Sequence, residues 1–566
     1  MLSILFLFLS VNLLFASGSK ESSVSKALDT PEMSPRLFEM LGNPDYRSIR
    51  HVEISDYYLE NQLEGLATDW YKDANFYHIW VKSFCDYDGD GVGDFRGITS
   101  KLDYIKDLGF DAIWLSPIFD CAGKGTAVNY NMHGYDTINY YEVNDYFGNE
   151  EHLMTLLEEA HKRNIKVIFD FVPNHTSNAH PWFILSGKRE DGKDDWYLWN
   201  QDRLSWNAMG TSSTWFTNID RHQYYYGAFN AGMPDLNFRN YEVREEMKNV
   251  VRYWLNKGFD GVRVDAVRYL IEENGSLVKL TDTQETHEFF QELRRDVIDV
   301  YAELGSPKFM VCEAWLSGNR TGLNQYSGTE ENPEFNMVFD FDYANSISMA
   351  LRFNNRDFPN FLQRSVFPAN NTVQYGLFLT NHDNVASRTG STFTNISQLK
   401  LASALTLLLP ATPFVYYGNE IGQKDAAGYS GNDIRLRFPL DWKEVENQKN
   451  DPNSVLALHK TILSLRQKHA AFRRGTYTAL LPSGNENMLA YSLTLDNETI
   501  LCFYNLSATE IQNTEIQLNA IESIDRVQDL SVLYLSDKTI EAQASDDLLS
   551  ISSIPAYGFA LIKLNN

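Results

Sequence analysis

Eight short apolar runs, at residues 76–84, 112–118, 166–172, 261–265, 309–313, 335–341, 375–380 and 413–418, alternate with amphipathic stretches such as 151–163 and 242–257. Short apolar runs between turn residues read as strands, and strands alternating with helices pair in parallel, because each crossover returns the chain to the end where the last strand began. Eight such units predict an α/β fold, a (β/α)8 barrel, although an open doubly wound sheet gives the same alternation. The acidic residues favour the barrel. Asp265, Glu313 and Asp383 fall at the C-terminal ends of three different strands, the face on which a closed barrel gathers its functional groups.

The third run is followed by an unusually long stretch, 176–239, where a βα loop normally takes about 2–6 residues. It carries Trp182, Trp196, Trp206, Trp215 and the run Tyr224-Tyr225-Tyr226, and is expected to be a domain inserted over the barrel mouth. Beyond the helical pattern near 454–469 the sequence turns to short alternating strands, a C-terminal antiparallel β domain. The expected plan is a signal peptide at 1–18, a leader or linker at 19–68, a barrel at 69–175 and 240–472, an inserted domain at 176–239, and a C-terminal β-sandwich at 473–566.

The apolar run at 2–15 is shorter than the roughly 20 residues of a membrane span, and it ends in Ala16-Ser17-Gly18, which suits signal peptidase. Export to a periplasmic or extracellular space is therefore expected, with an uncleaved anchor as the alternative. A net charge of −26 disfavours nucleic acid and anionic membranes as partners and is compatible with a neutral substrate. Cys85, Cys121, Cys312 and Cys502 are too few and too scattered for a disulfide framework or a zinc cluster; pairing of Cys85 with Cys121 stays open.

In Gly261-Val262-Arg263-Val264-Asp265 the strand period of two puts Arg263 and Asp265 on one face and the valines on the other. Glycoside cleavage needs two carboxyl groups in unlike environments, one ionised and one protonated. Arg263 beside Asp265 favours the ionised form there, whereas Glu313, close to Trp315, suits the proton donor.

The segments Asp170-Phe-Val-Pro-Asn174-His175, Gly261–Asp265, Glu313 and Asn381-His382-Asp383 resemble, in order, the four signature regions of the α-amylase superfamily, glycoside hydrolase family 13. The resemblance implies a nucleophile at Asp265, a general acid/base at Glu313 and a transition-state-stabilising aspartate at Asp383. It implies sugar-hydroxyl ligands at Arg263, His175 and His382. Gly134-Tyr135-Asp136 is similar to the first-subsite platform, with Tyr135 stacking on glucose. Gly232-Met-Pro-Asp235-Leu-Asn237 resembles a fifth region of members intermediate between oligo-1,6-glucosidases and neopullulanases, and Arg437-Phe-Pro-Leu-Asp-Trp442 a segment after the eighth strand. Four positions depart from the usual pattern: Asn139 for Asp, Cys312 for Gly, and Arg268-Tyr269 for Lys-His on the leaving-group side.

Asp86-Tyr-Asp88-Gly-Asp90-Gly91-Val92-Gly-Asp94 places acids at positions 1, 3, 5 and 9, glycine at 6 and a backbone carbonyl, that of Val92, at 7. This is the spacing of an EF-hand-type calcium loop, without the position-12 Glu or the flanking helix pair. A structural Ca2+ is expected there, with Mg2+ as the alternative ion. The resemblance implies a second calcium site using Asn174 and Asp235.

Together these readings predict a retaining hydrolase of α-1,4-linked glucans and malto-oligosaccharides. The alternatives are an exo-acting α-glucosidase or a transglycosylase on the same machinery, and a non-catalytic relative such as a transporter heavy chain. A sugar-binding protein on the same fold is a further alternative.

Overall fold

The structure, a computed structural model, describes residues 40–565 apart from 44–45, 123–132, 208, 210–212, 275–277, 370–371, 384–386, 430–432, 482–485, 519–520, 522–528 and 546–547. The expected signal peptide and residues 19–39 of the leader lie outside the described residues.

Eight strands close into a barrel: β1 (Phe76–Ile79), β2 (Ala112–Leu115), β3 (Lys166–Phe171), β4 (Gly261–Val264), β5 (Phe309–Cys312), β6 (Met337–Phe339), β7 (Tyr375–Leu377) and β8 (Thr412–Tyr416). Each pairs in parallel with its sequence neighbours, and β1 pairs with both β2 and β8, so the sheet has no edge. The helices that follow them are α1 (Leu102–Leu108), α2 (Glu150–Lys162), α3 (Tyr241–Asn256), α4 (Gln284–Leu293), α5 (Arg320–Gln325), α6 (Phe341–Phe353), α7 (Ile396–Leu408) and α8 (Val455–Lys468). All but α1 start on an Asn, Asp, Ser or Thr whose side chain accepts a first-turn N–H, which fixes where each crossover begins.

Alternation along the strands sorts side chains into two layers. Val262 and Val264 face the helices, while Phe76, Trp114, Ile168, Val311, Phe339 and Phe414 fill the interior, with Phe76 stacked on Phe414 at 4.3 Å. Gly261 sits where a Cβ would come within 2.3 Å of the Phe309 carbonyl oxygen, so any larger residue would push β4 off β5. That contact sets the depth of Arg263 and Asp265 on the same strand.

Residues 176–239 contain the helix Pro181–Lys188 and a small sheet of Trp199–Asn200, Trp215–Asn218 and Gln223–Tyr226. Trp182 and Trp196 are buried in the apolar core that continues into the barrel, Trp182 stacked on Tyr140 at 5.7 Å, while Trp215 packs with Tyr226 and Ala228 in a small cluster within the insertion. The helix was not anticipated from the sequence, because only eight residues of weakly patterned sequence form it. At the C-terminus a five-stranded and a three-stranded antiparallel sheet enclose a second apolar core that includes Leu501, Phe503, Ile516, Ile551 and Ile562.

The described part of the expected leader behaves differently from a free linker. Residues 46–62 form a strap on α3. The Arg50 N–H donates to Glu246 (2.8 Å), Glu60 N–H to the Asn256 carbonyl (2.7 Å), and the Arg50 guanidinium lies 3.8 Å from the Tyr141 ring centre. The polar side chains of α3 supply partners that the strap's own sequence gives no sign of. Asn139 joins the same layer: its amide donates to the Tyr46 hydroxyl and its oxygen accepts from Tyr141 N–H (2.9 Å), a pairing an ionised aspartate lacks the donor for. All four cysteines are free thiols. No described helix is long and apolar enough to cross a membrane.

Arg466 of α8 closes the far end of the barrel. Fully buried, it donates to the carbonyls of Leu407, Leu409, Ala411 and Phe472 and to Asn75 Oδ1, at 2.6–3.0 Å. Each buried acceptor left without a donor costs about 1–3 kcal/mol. Arg466→Met is expected to lower unfolding stability by at least about 4 kcal/mol in a urea titration, and a loss under about 1 kcal/mol would refute this account of the closure.

Candidate active site

Four carboxyl groups meet at the C-terminal mouth, three of them around one cation. Arg263, at the interior face of β4 and 1% exposed, donates from Nη1 to Asp170 Oδ1 and to Asp265 Oδ1, both at 2.7 Å. Its Nη2 lies 3.3 Å from Glu313 Oε2. Asp170 comes from β3, Asp265 follows β4 and Glu313 follows β5, so the closed sheet brings them together. The Glu313 carboxyl also accepts the Ala266 N–H at 3.1 Å. Ala266 has φ of 50°, a left-handed conformation that costs a non-glycine residue about 1–2 kcal/mol, and that peptide is the one pointed at Glu313.

The fourth carboxylate, Asp383, lies after β7 and receives His382 Nε2 at 3.1 Å and Arg437 Nη2 at 3.2 Å. Arg437 also donates to the His382 carbonyl (3.0 Å) and lies 4.7 Å over the Trp80 ring. The Tyr135 hydroxyl bridges the two groups, donating to Asp170 Oδ2 (3.1 Å) and meeting His382 Nε2. Its ring is nearly parallel to the His382 ring, at 12° and 5.5 Å. His175 is held through Nε2 on the Tyr135 carbonyl at 3.1 Å. Asp136 Oδ1 lies 4.0 Å from His133 Nδ1.

Burial dominates the electrostatics. It raises both Asp265 and Glu313, to about 7 and about 8, against the pull of Arg263; the negative charges around them add to the rise. One guanidinium cannot neutralise three carboxylates, so the group retains a proton. Glu313 is the more basic of the pair and the farther from Arg263, which makes it the holder. Asp383 is also raised by burial, but His382 and Arg437 outweigh that and hold it well below the ordinary carboxylate range. Burial pushes His175 down to about 3, so it is neutral, and its bond to a carbonyl puts the proton on Nε2.

The structure thus brings together Asp265, Glu313, Asp383, Arg263, Tyr135, His175, His382 and Arg437. Sequence reasoning gave no role to Asp170, which orients both Arg263 and Tyr135, or to Trp114, whose indole N–H donates to Asp170 Oδ2 at 3.2 Å. Both obey the rule that identified the other acids: they are interior-facing positions near the C-terminal ends of strands.

In the loop after β1, carboxylate oxygens of Asp86, Asp88 and Asp94 lie within 4.8 Å of one another. Each of these acids accepts hydrogen bonds from its surroundings: Asp86 from Gly89 and Gly91 N–H, Asp94 from Tyr87 and Gly97 N–H, Asp88 from Arg96. Asp90 is not part of that group; it accepts the Val92 N–H at 2.7 Å. The all-oxygen set fits a hard divalent cation bound at about 2.3–2.6 Å. At the base of the insertion Asn174 Oδ1 and Asp235 Oδ2 are buried without hydrogen-bond partners among the described residues, as is Glu272 Oε1. Burial raises Asp235 to about 8 and Glu272 well above its ordinary range, Asp235 adding to the latter. These unpaired oxygens also fit a cation.

The family described as "Alpha amylase, catalytic domain" matches residues 78–475. The chain is 32% identical over 507 residues to Alpha-amylase 3 of Dictyoglomus thermophilum, covering 85% of this chain and 92% of that protein. It is 28% identical over 539 residues to an oligo-1,6-glucosidase of Heyndrickxia coagulans, covering 78% and 93% respectively. The crystal structure of a trehalose-6-phosphate hydrolase from Bacillus licheniformis superposes with a TM-score of 0.73 at 26% identity, over 88% of this chain and 100% of that one.

The raised Glu313 carries a stability consequence. Unfolded, it loses its proton near the ordinary 4.5; folded, near 8. Between these values the native state binds the extra proton, so the group's contribution to stability falls as pH rises and is flat above about pH 8. Glu313→Gln, which cannot ionise, is expected to match wild type in melting temperature near pH 4.5 and to exceed it by upwards of about 3 °C at pH 8. A gap that shrinks with rising pH in thermal scans would contradict the assignment.

Proposed function

Because the chain belongs to the α-amylase family of glycoside hydrolases, we propose for it the retaining hydrolysis of α-1,4-glucosidic bonds in starch-like glucans and malto-oligosaccharides. Asp265 attacks the anomeric carbon while Glu313 gives its proton to the glycosidic oxygen, and the leaving sugar departs. Glu313, now a carboxylate, takes a proton from water as that water displaces Asp265, and the product keeps the α configuration. Asp383, held as an anion, stabilises the positive charge that develops on the sugar ring. Tyr135 supplies the ring on which the glucose stacks, and Arg263, His175, His382, Arg437 and Asp136 line the same subsite.

The observation that carries this reading is the span of Arg263. One guanidinium reaches both Asp265 (2.7 Å) and Glu313 (3.3 Å), which supports the closer carboxyl spacing that a covalent intermediate requires. Endo cleavage is favoured because Trp182 and Trp196 are buried in the core shared with the barrel and Trp215 in a small cluster of the insertion, so none of the three presents a wall to the mouth. Export through the apolar run 2–15 agrees with a polymeric substrate outside the cell. A structural Ca2+, or Mg2+, held by Asp86, Asp88 and Asp94 with the Val92 carbonyl, and a second held by Asn174 and Asp235, would lend cross-linking positive charge to both loops.

Asp265→Asn is expected to lower kcat on maltotriose by at least about 1,000-fold with the fold intact. NMR of the first wild-type product should show the α anomer; a β anomer would refute the double displacement. Early products from long amylose should spread from maltose to maltohexaose, and glucose alone in the first minutes would overturn endo action. Excess EDTA should lower the melting temperature more than the initial rate, since a cation that binds only the folded state stabilises it by mass action. An unchanged melting temperature, with no bound metal by elemental analysis, would remove both cation sites.

A further inference from the structure

Just past Asp265 the chain carries Arg268, whose cationic side chain makes its bonds with protein. Nε and Nη2 bind the Asp282 carboxylate at 3.0 and 2.7 Å, and Nη1 donates to the Trp315 carbonyl at 2.7 Å. Asp282 is itself fixed: its N–H donates to the Arg268 carbonyl (2.9 Å), its carboxylate accepts the Tyr326 hydroxyl (2.8 Å), and its φ is 55°. Although burial raises the Asp282 pKa, the bonds from Arg268 outweigh it and leave the acid below its ordinary value, so the ion pair holds at neutral pH.

What this pair touches are the Trp315 backbone, two residues beyond Glu313, and the ring of Tyr269, four residues beyond Asp265. Trp315, two residues beyond Glu313, is 38% exposed; its ring lies flat on Phe341 (5.1 Å, 10°) and its indole N–H donates to Ser317 Oγ (3.1 Å). Tyr269 has its ring 5.8 Å from the Arg268 guanidinium and edge-on to Phe229 (5.4 Å), while Phe229 lies 5.0 Å from His175. Tyr269 is close enough to Glu313 and Asp265 for both charges to act on it.

We infer that Arg268 is a positioning residue: clamped by Asp282, it fixes Trp315 and Tyr269 as the walls of the site that receives the leaving-side glucosyl unit. This rests on the proposed glycosidase reading. The oxygen that Glu313 protonates belongs to the leaving sugar, so that sugar's ring lies beside Glu313. There an exposed indole face fits the C–H face of a pyranose, and the tyrosine hydroxyl its rim of hydroxyls. A neutral ring pair held by a diverted arginine grips by stacking, and the arginine serves the sugar through the rings it fixes.

The test compares maltotriose, which fills the leaving side, with α-glucosyl fluoride, whose leaving group is too small to. Arg268→Ala and Asp282→Asn are expected to raise KM for maltotriose about tenfold while kcat/KM for the fluoride stays within about twofold. Arg268→Lys, which keeps the charge but loses the forked contact, should fail to restore the maltotriose KM, and it carries the test if the alanine variant does not fold. Equal losses on the two substrates, or no change on either, would overturn the inference. A wild-type enzyme inactive on the fluoride would instead overturn the glycosidase reading on which it rests.

Discussion

The interior of this barrel is organised around a cation with no water to solvate it. Arg263 is buried at the mouth, and desolvating a guanidinium costs several kcal/mol unless its donors are all met by good acceptors. Asp170, Asp265 and Glu313 meet its two Nη groups from three strands, with Nε left unpaired among the described residues, so the register of β3, β4 and β5 is tied to one side chain. The same arrangement has too much negative charge for one cation. That surplus keeps a proton on the carboxyl farthest from Arg263, and a stable arrangement of this kind is also one prepared to donate a proton.

Around this centre the fold stores strain and charge in particular places. Ala266 is held left-handed so that its N–H meets Glu313, and Gly261 permits the close β4–β5 contact that sets the depth of the strand. On the far side of the mouth His382 and Arg437 keep Asp383 anionic, so neighbouring acids only a strand or two apart occupy opposite protonation states. Unlike environments for like groups are what acid–base chemistry at neutral pH requires.

The parts outside the barrel serve it by contact. The strap at 46–62 covers α3, Arg466 secures the turn into β8, and the insertion buries Trp182 and Trp196 in the core it shares with the barrel and leaves polar oxygens at its base. Trp315 and Tyr269 frame the mouth on the side of Glu313, held by an ion pair whose two members stand fourteen positions apart.

The sequence by itself determined the eight strands, their parallel order and the shared face of Arg263 and Asp265, because strand periodicity and strand–helix alternation are local properties that the backbone enforces. It also placed Asp265, Glu313 and Asp383 at strand ends. Partner choice was beyond it. Nothing local says that Asp170 would bind an arginine 93 positions away and a tyrosine 35 positions back, that Glu313 would hold the proton, or that Arg268 would turn to Asp282. Nor could composition tell that the insertion's tryptophans are core, or that residues 46–62 are strapped to α3. Those outcomes depend on which groups barrel closure forces out of water together, and only the tertiary structure decides that.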